Sequence, residues 1–223
     1  MNLIATVFLA LLLSGQAFAG DENAVGSAAC PRATTAWEQV ANRDGVVIYN
    51  RTRAGSSLKE FKSVGLMDSP PSAVYAVLND AKSYPSFMPY SAEVRILKQT
   101  DGAIVAYHRL ALPLVDDRDY TLRSEHSKSS GPAGPVYHIH WKPANDLGPA
   151  QKPGVQRVKV CEGSWLLEPT GAGTTRATYL IYSDTGGAIP AVFANNASRV
   201  AIRKVFAAIR KEAHEPKYTS AKG

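Results

Sequence analysis

The fold of this chain is decided by residues 174–214, TTRATYLIYSDTGGAIPAVFANNASRVAIRKVFAAIRKEAH. The first part of this segment, 174–184, is rich in β-branched and aromatic residues and predicts a long strand. A diglycine corner at 186–187 and Pro190, which suits the first turn of a helix, introduce an amphipathic helix that continues to about His214. A last strand followed by one long closing helix is typical of a sheet that grips a helix and leaves room for an apolar ligand.

The apolar stripe of this helix changes character along its length. Its C-terminal half carries large apolar residues, whereas Asn195 and Ser198 occupy stripe positions in the N-terminal half. Buried polar groups need partners, since an unpaired one costs roughly 1–3 kcal/mol. A ligand or a trapped water would be such a partner, and a bond from the helix end to a loop backbone is the alternative. We therefore predict that four stripe positions face a ligand: Val192, Asn195, Ser198 and Ile202.

The other end of the chain indicates export. Residues 3–13 form an apolar run too short to span a bilayer, and Ala17-Phe18-Ala19 has the small-x-small pattern that signal peptidase cleaves. The mature protein would then be secreted or periplasmic. The predicted organisation is a signal peptide at 1–19, a poorly ordered arm at 20–33, one ligand-binding domain at 34–214 and a C-terminal tail at 215–223.

The charge of the chain and its cysteines indicate which partners the protein meets and whether it forms a disulfide. The formal net charge is +6, but the basic residues are spread along the chain and no nucleic-acid-binding motif is present. We expect a solvated basic surface, transient membrane contact and a monomer. Cys30 and Cys161 are the only cysteines, and an oxidising compartment would join them in one disulfide. Two separate buried thiols are the alternative.

Between the two ends, the pattern is a series of strands within one α+β domain built on an antiparallel sheet. A short helix from Thr34 or Thr35 through Ala41 is predicted at its start, and the proline- and aromatic-rich segment 84–90 suits neither regular helix nor central strand. The long loop 143–154 belongs to a kind that often forms lids. A second helix is predicted at 70–79, and strands at 46–53, 57–67, 93–99, 103–112, 118–127, 136–142 and 155–168.

Several motifs, taken in order, resemble the START (steroidogenic-acute-regulatory-related lipid transfer) domains of the helix-grip superfamily. They are Trp37 with DGVVIYNR at 44–51, Pro113 with RDY at 118–120, GSW at 163–165, and GAIP at 187–190 with Asn195. The resemblance covers about residues 37–213 and implies a curved antiparallel sheet wrapped around a long C-terminal α-helix, with a cavity for one lipid or sterol. Segment 83–90 also resembles polyketide cyclases and coenzyme-Q-binding proteins of the same superfamily. A helix-grip enzyme of the cyclase or hydrolase type is therefore the alternative to a lipid carrier or sensor.

Arg118 is the leading single-residue candidate for the ligand site. It matches the inward-pointing Arg of the family's RD pair, and strand alternation places it on the same face as Tyr120. A buried charge must be paired or neutralised, so Arg118 would bind a carboxylate, carbonyl groups or a ligand head. A paired residue at the rim is the alternative. Three further side chains would orient a polar group of the ligand, or serve a cyclase: His108, Tyr179 and Tyr182.

Known catalytic motifs are absent from the sequence, which contains no nucleophile elbow, phosphate loop or H-E-x-x-H. His138 and His140 share a strand face, but no third metal ligand occupies a matching position, so we expect neither a metal nor a cofactor. A secreted interaction module whose cavity is filled by its own side chains is a third hypothesis. The exit path for a ligand is predicted at 113–117 and 186–192, with these lid residues: Pro113, Leu114, Gly186, Gly187 and Ile189.

Overall fold

A long antiparallel sheet curves around one helix in the computed structural model, which describes residues 36–113, 115–171, 173–184 and 191–219, with side chains from 194 onward in the last range. Nine of the described strands pair in the order β1-β2-β3-β10-β9-β7-β6-β5-β4, and β8 pairs in parallel with β6. The predicted α+β helix-grip architecture is confirmed. The strands are β1 Glu38–Arg43, β2 Val46–Thr52, β3 Lys59–Met67, β4 Ser91–Thr100, β5 Ala103–Leu110, β6 Asp117–Gly131, β7 Gly134–Pro143, β8 Val155–Arg157, β9 Val160–Gly171 and β10 Thr174–Asp184.

Four α-helices accompany this sheet in the described ranges. They are α1 Pro71–Asn79, α2 Tyr84–Phe87, α3 Ala191–Glu212 and α4 Pro216–Thr219, with short 3-10 turns at Ala81–Ser83 and Asn145–Leu147. The proline at the start of α1 sits where a backbone N–H would lack a partner in any case. None of the described helices combines the length and hydropathy needed to cross a bilayer.

The core lies between α1, the C-terminal half of α3 and the central strands. Ile202, Phe206 and Ile209 project from α3 and are at most 3% exposed. Phe206 packs directly over Gly65 of β3, where an added Cβ would lie 2.8 Å from the phenyl ring. A side chain at position 65 would therefore displace the helix, and the glycine allows the sheet to approach it closely.

Arg210 connects the end of α3 to the sheet through hydrogen bonds. The Arg210 guanidinium donates hydrogen bonds to the carbonyl oxygens of Leu66 (2.9 Å), Asp44 (2.6 Å) and Gly45 (2.9 Å). The last turns of the helix are thereby connected to β3 and to the β1–β2 turn. Beyond α3, α4 extends the packed part of the chain into the predicted tail, because Tyr218 is 5% exposed and its hydroxyl donates to Asp80 Oδ2 at 2.9 Å.

Three predicted elements differ from the structure. The predicted helix through Ala41 is wrong, because residues 38–43 form β1 and pair with β2. Segment 84–90 does contain a helical turn, α2, since Pro85 lies in its first turn, where proline is tolerated. The predicted strand 155–168 is two strands: Val158 N–H donates to the Asp119 carbonyl oxygen at 2.9 Å, after which the chain leaves β6 and β9 pairs with β7 and β10.

Candidate ligand cavity

A cavity of about 690 Å³ lies between the sheet and the N-terminal half of α3. Its volume falls within the roughly 300–1,000 Å³ of small-molecule sites. Its walls are mainly apolar and aromatic and include side chains from the following positions: Phe61, Leu78, Ile104, Ala106, Leu110, Leu122, Ile139, Trp141, Trp165, Ile181 and Val205.

The space exists because the cavity-facing part of α3 carries small residues. Ala194, Ala197 and Ala201 line the cavity, together with Asn195 and Ser198. The helix is held at a fixed distance from the sheet by the large side chains of its other half, so these short side chains leave a gap. Interiors of proteins are otherwise close-packed, and a gap of this size is unusual unless something occupies it.

The polar aromatic groups of the wall are held uncharged by burial. His108 on β5 stacks on Tyr120 of β6, with ring centroids 5.2 Å apart. The apolar surroundings lower the pKa of His108 to about 4 and raise the pKa of Tyr120 and Tyr179 above the ordinary phenol range. His108, Tyr120 and Tyr179 all line the cavity, as predicted. Whether they contact a ligand stays a prediction.

Sequence reasoning missed a second polar pair in the wall. Ser124 and His126 line the cavity from β6, and Ser124 Oγ lies 2.9 Å from His126 Nε2. Burial, and secondarily the charge of His140, lower the pKa of His126. The signal for this pair was present in the sequence, because strand alternation from Tyr120 carries positions 124 and 126 to the same face.

Three residues that were predicted to bind the ligand lie outside the cavity lining. Arg118 is 4% exposed but outside the cavity lining, and its guanidinium turns back to donate to the Asp116 carbonyl oxygen. Tyr182 faces the outside of the sheet, where the Arg53 guanidinium lies 4.3 Å from its ring centroid. Ile202 is 3% exposed and packs in the solid core.

The two polar residues of the α3 stripe have partners within the protein. Asn195 Oδ1 accepts a hydrogen bond from the Lys59 backbone N–H at 3.1 Å, and Ser198 Oγ donates to the Ala194 carbonyl oxygen at 2.9 Å. Both still line the cavity. A hydrogen bond from the helix end to a neighbouring backbone was one of the two alternatives predicted for Asn195. It is observed here.

The predicted disulfide and lid fall partly outside the described residues. Cys161 lines the cavity as a free thiol, and burial raises its pKa to about 11. Its predicted partner Cys30 is not described, so the bridge stays a prediction. Pro113 lines the cavity, in agreement with a lid position. The remaining lid residues and the side chain of Val192 also lie outside the description: Leu114, Gly186, Gly187 and Ile189.

Loop 143–154 packs on the face of β6 that points away from the cavity. Asp119 and Thr121 alternate with the cavity-facing Tyr120, and Gly148 of the loop lies so close to the Thr121 side chain that an added Cβ would be 1.9 Å from Thr121 Oγ1. Arg157, just after the loop, pairs with fully buried Asp119, with Nε 2.6 Å from Oδ1. This network holds the loop on the outside of the sheet, which favours the predicted exit path at 113–117 and 186–192.

The chain is similar in sequence to a known protein family and to individual known proteins. The family model described as "Polyketide cyclase / dehydrase and lipid transport" matches residues 67–210. The chain is 29% identical over 161 residues to an uncharacterized protein of Pseudomonas aeruginosa, covering 72% of this chain and 78% of that protein. It is 26% identical over 165 residues to the phosphatidylcholine transfer protein of Rattus norvegicus, covering 73% of this chain and 77% of that protein.

Solved structures with the same architecture include lipid transfer proteins and a cyclase. A fragment of the STAR-related lipid transfer protein from Xanthomonas axonopodis matches with a TM-score of 0.71 and 26% identity, covering 80% of this chain and 99% of that one. The Zhui aromatase/cyclase of a Streptomyces species matches with a TM-score of 0.50 and 19% identity, covering 74% of this chain and 98% of that one. The second similarity concerns the fold alone.

Proposed function

The chain belongs to the polyketide cyclase/dehydrase and lipid transport family, and we propose that it is a lipid-binding protein that carries one hydrophobic ligand in its cavity. The similarity to proteins named for phosphatidylcholine transfer and STAR-related lipid transfer supports this proposal. The observation that carries it is the apolar cavity of about 690 Å³ beneath α3, in a domain whose remaining core is tightly packed.

The chemistry of the wall favours carriage over catalysis. General acid–base catalysis is most efficient when the catalytic pKa lies near the working pH. In this wall, burial moves the pKa of His108 down to about 4, that of the Cys161 thiol up to about 11, and the Tyr120 and Tyr179 values above the ordinary phenol range. These groups would therefore stay uncharged at neutral pH and serve as fixed hydrogen-bonding groups.

An enzyme of the cyclase or hydrolase type is the second candidate. The family description names cyclases and dehydrases as well as lipid transport, and an aromatase/cyclase shares the fold. In that case the stacked His108 and Tyr120 would contact the reacting part of the substrate.

We extend the proposal to an exported, monomeric protein. The signal-peptide pattern at 1–19 supports export, and the formal charge of +6 supports transient contact with a membrane from which a lipid is collected. A disulfide between Cys30 and Cys161 belongs to the same proposal, since an oxidising compartment favours it.

A vesicle transfer assay tests the carrier proposal. Donor vesicles contain either dehydroergosterol or pyrene-labelled phosphatidylcholine, and acceptor vesicles contain a quencher or energy-transfer partner. We expect the transfer of at least one probe to accelerate in proportion to protein concentration, with the probe recovered chemically unchanged. Heat-denatured protein is the control. No acceleration for either probe would contradict carriage, and recovery of a converted probe would favour the enzyme.

A further inference from the structure

The described lining of the cavity is almost free of charge. Lys59 is the one Asp, Glu, Lys or Arg residue among the described lining positions, and its ammonium group lies 2.6 Å from Thr52 Oγ1. The segment 185–190, TGGAIP, contains no ionisable side chain either. Burying an unpaired phosphate or carboxylate in such a wall would be costly, because a buried charge requires an opposite charge or several hydrogen bonds.

Four of the hydroxyl and amide groups in the described wall are committed to the protein backbone, whereas Ser91 Oγ is buried without a partner among the described residues. Tyr84 donates to the Leu78 carbonyl oxygen at 2.6 Å, and Ser183 donates to the Val160 carbonyl oxygen at 3.2 Å. Asn195 and Ser198 likewise bond to nearby backbone groups. These bonds use the hydroxyl protons of Tyr84, Ser183 and Ser198 and the amide oxygen of Asn195.

The Ser124–His126 pair is different because its two side chains bond to each other. Ser124 Oγ and His126 Nε2 are 2.9 Å apart and share one hydrogen bond. The contact between Ser124 Oγ and the Ile104 carbonyl oxygen is long, at 3.4 Å. His126 Nδ1 is buried without a partner among the described residues. With Nδ1 as an unprotonated acceptor, Nε2–H donates to Ser124 Oγ, and the serine hydroxyl proton is left available.

We propose that the cavity selects an uncharged lipid and places its hydroxyl or carbonyl oxygen at the Ser124–His126 pair. This inference rests on the proposed carrier function and adds a substrate class to it: long-chain alcohols, sterols, acylglycerols and related neutral lipids. A hydroxyl suits the pair best, since it can either accept the hydroxyl proton of Ser124 or, in the opposite orientation, donate its own proton to the serine oxygen. An acceptor-only ester carbonyl uses half of that capacity.

Arg118 offers the competing position for the polar end of a ligand. It is buried at the start of the same strand, 4% exposed, and its Nε has no partner among the described residues. An anionic or zwitterionic headgroup would require a cation such as this one. Arg118 nevertheless lies outside the lining, whereas Ser124 and His126 are part of it.

Displacement of the neutral fluorophore N-phenyl-1-naphthylamine from the full chain separates these possibilities. The competitors are oleyl alcohol, methyl oleate and oleyl phosphate, which share one hydrocarbon chain and differ at the polar end. The two neutral compounds are used below their solubility limits, and the phosphate below its critical micelle concentration. We expect oleyl alcohol to displace the fluorophore at a concentration about tenfold or more below that needed for oleyl phosphate, because the one cation of the described wall, Lys59, already bonds to Thr52.

Variants then locate the polar end of the bound lipid. Ser124→Ala and His126→Phe should each weaken oleyl alcohol about five- to tenfold, the effect of one lost hydrogen bond, and should leave methyl oleate less affected. The matched control is His138→Phe, the same substitution on the outer face of the neighbouring strand, which should change nothing. Circular dichroism confirms folding, and Ser124→Ala removes too little volume to disturb it.

Two results would overturn the inference. Oleyl phosphate that binds as well as oleyl alcohol, and loses its affinity in Arg118→Leu, would move the polar end to Arg118. Equal binding of all three competitors, unchanged in both pair variants, would show that the cavity does not select a polar end. Both outcomes leave the carrier proposal intact, whereas a folded chain that binds neither the fluorophore nor any oleyl compound contradicts the carrier proposal itself.

Discussion

The two halves of α3 face the same sheet but meet it in different ways. In the C-terminal half, Ile202, Phe206 and Ile209 are at most 3% exposed and fill the space down to the strands. In the N-terminal half, the corresponding surface carries alanines and short polar residues, and a cavity of about 690 Å³ takes the place of a core. One helix therefore acts both as the core of the domain and as the roof of its binding site.

Side-chain size therefore divides α3 into two parts with different roles. The part with large side chains stabilises the fold, and the part with small side chains forms the binding site. The large residues, together with the three carbonyl bonds of Arg210, hold α3 at a fixed distance from the sheet. The small residues then produce a void that the packed end prevents from collapsing. Changes in one half should accordingly affect folding, and changes in the other should affect binding.

The largest effect is expected from Phe206→Ala. The ring is fully buried, lies 5.2 Å from the Trp165 ring between centroids, and packs on Gly65. Its truncation should lower the free energy of unfolding by about 3–5 kcal/mol, as for other buried phenylalanines. Urea denaturation of lipid-free protein measures this, with Leu66→Ala, a truncation at a 60% exposed position, as the control. A loss near that of the control would place Phe206 outside the supporting core.

A smaller effect on stability, but a large one on binding, is expected from Ala201→Phe. Position 201 lines the cavity, so the added ring occupies the space meant for a ligand. Affinity for a fluorescent lipid should fall about tenfold or more, while the urea midpoint changes little because the ring fills a void. Ala207→Phe, on an exposed part of the same helix, serves as the control and should bind normally. If both variants lost affinity equally, the loss would come from the helix as a whole and the comparison of its halves would fail.

Patterns that depend on local periodicity predicted most of the fold. β10 was predicted with its bounds as observed, and α3 ends within a few residues of the predicted position, because long alternating and helical patterns leave few alternatives. The segment before Asp44 was misassigned because its local preference is helical, whereas its structure comes from pairing with β2. Tertiary pairing of this kind is not visible in a short window of sequence.

The site was predicted less completely than the fold. Tyr179 and Tyr182 are three residues apart on one strand and must face opposite sides of the sheet, so predicting both as cavity residues contradicted the alternation. Applied strictly from Tyr120, the same alternation includes Ser124 and His126, which line the cavity. The position of Arg118 was beyond this rule, since it depends on where the cavity ends along β6.

Native mass spectrometry of protein purified under gentle conditions tests whether the gap beneath α3 holds a lipid. We expect one population that carries a single noncovalent lipid per chain, released on collisional activation and identified as an uncharged species. Ala201→Phe, purified in parallel, should be recovered without it. Wild-type protein recovered empty from a lipid-rich source, and unable to take up lipid when it is added, would contradict the claim that the gap beneath α3 is a lipid-binding cavity.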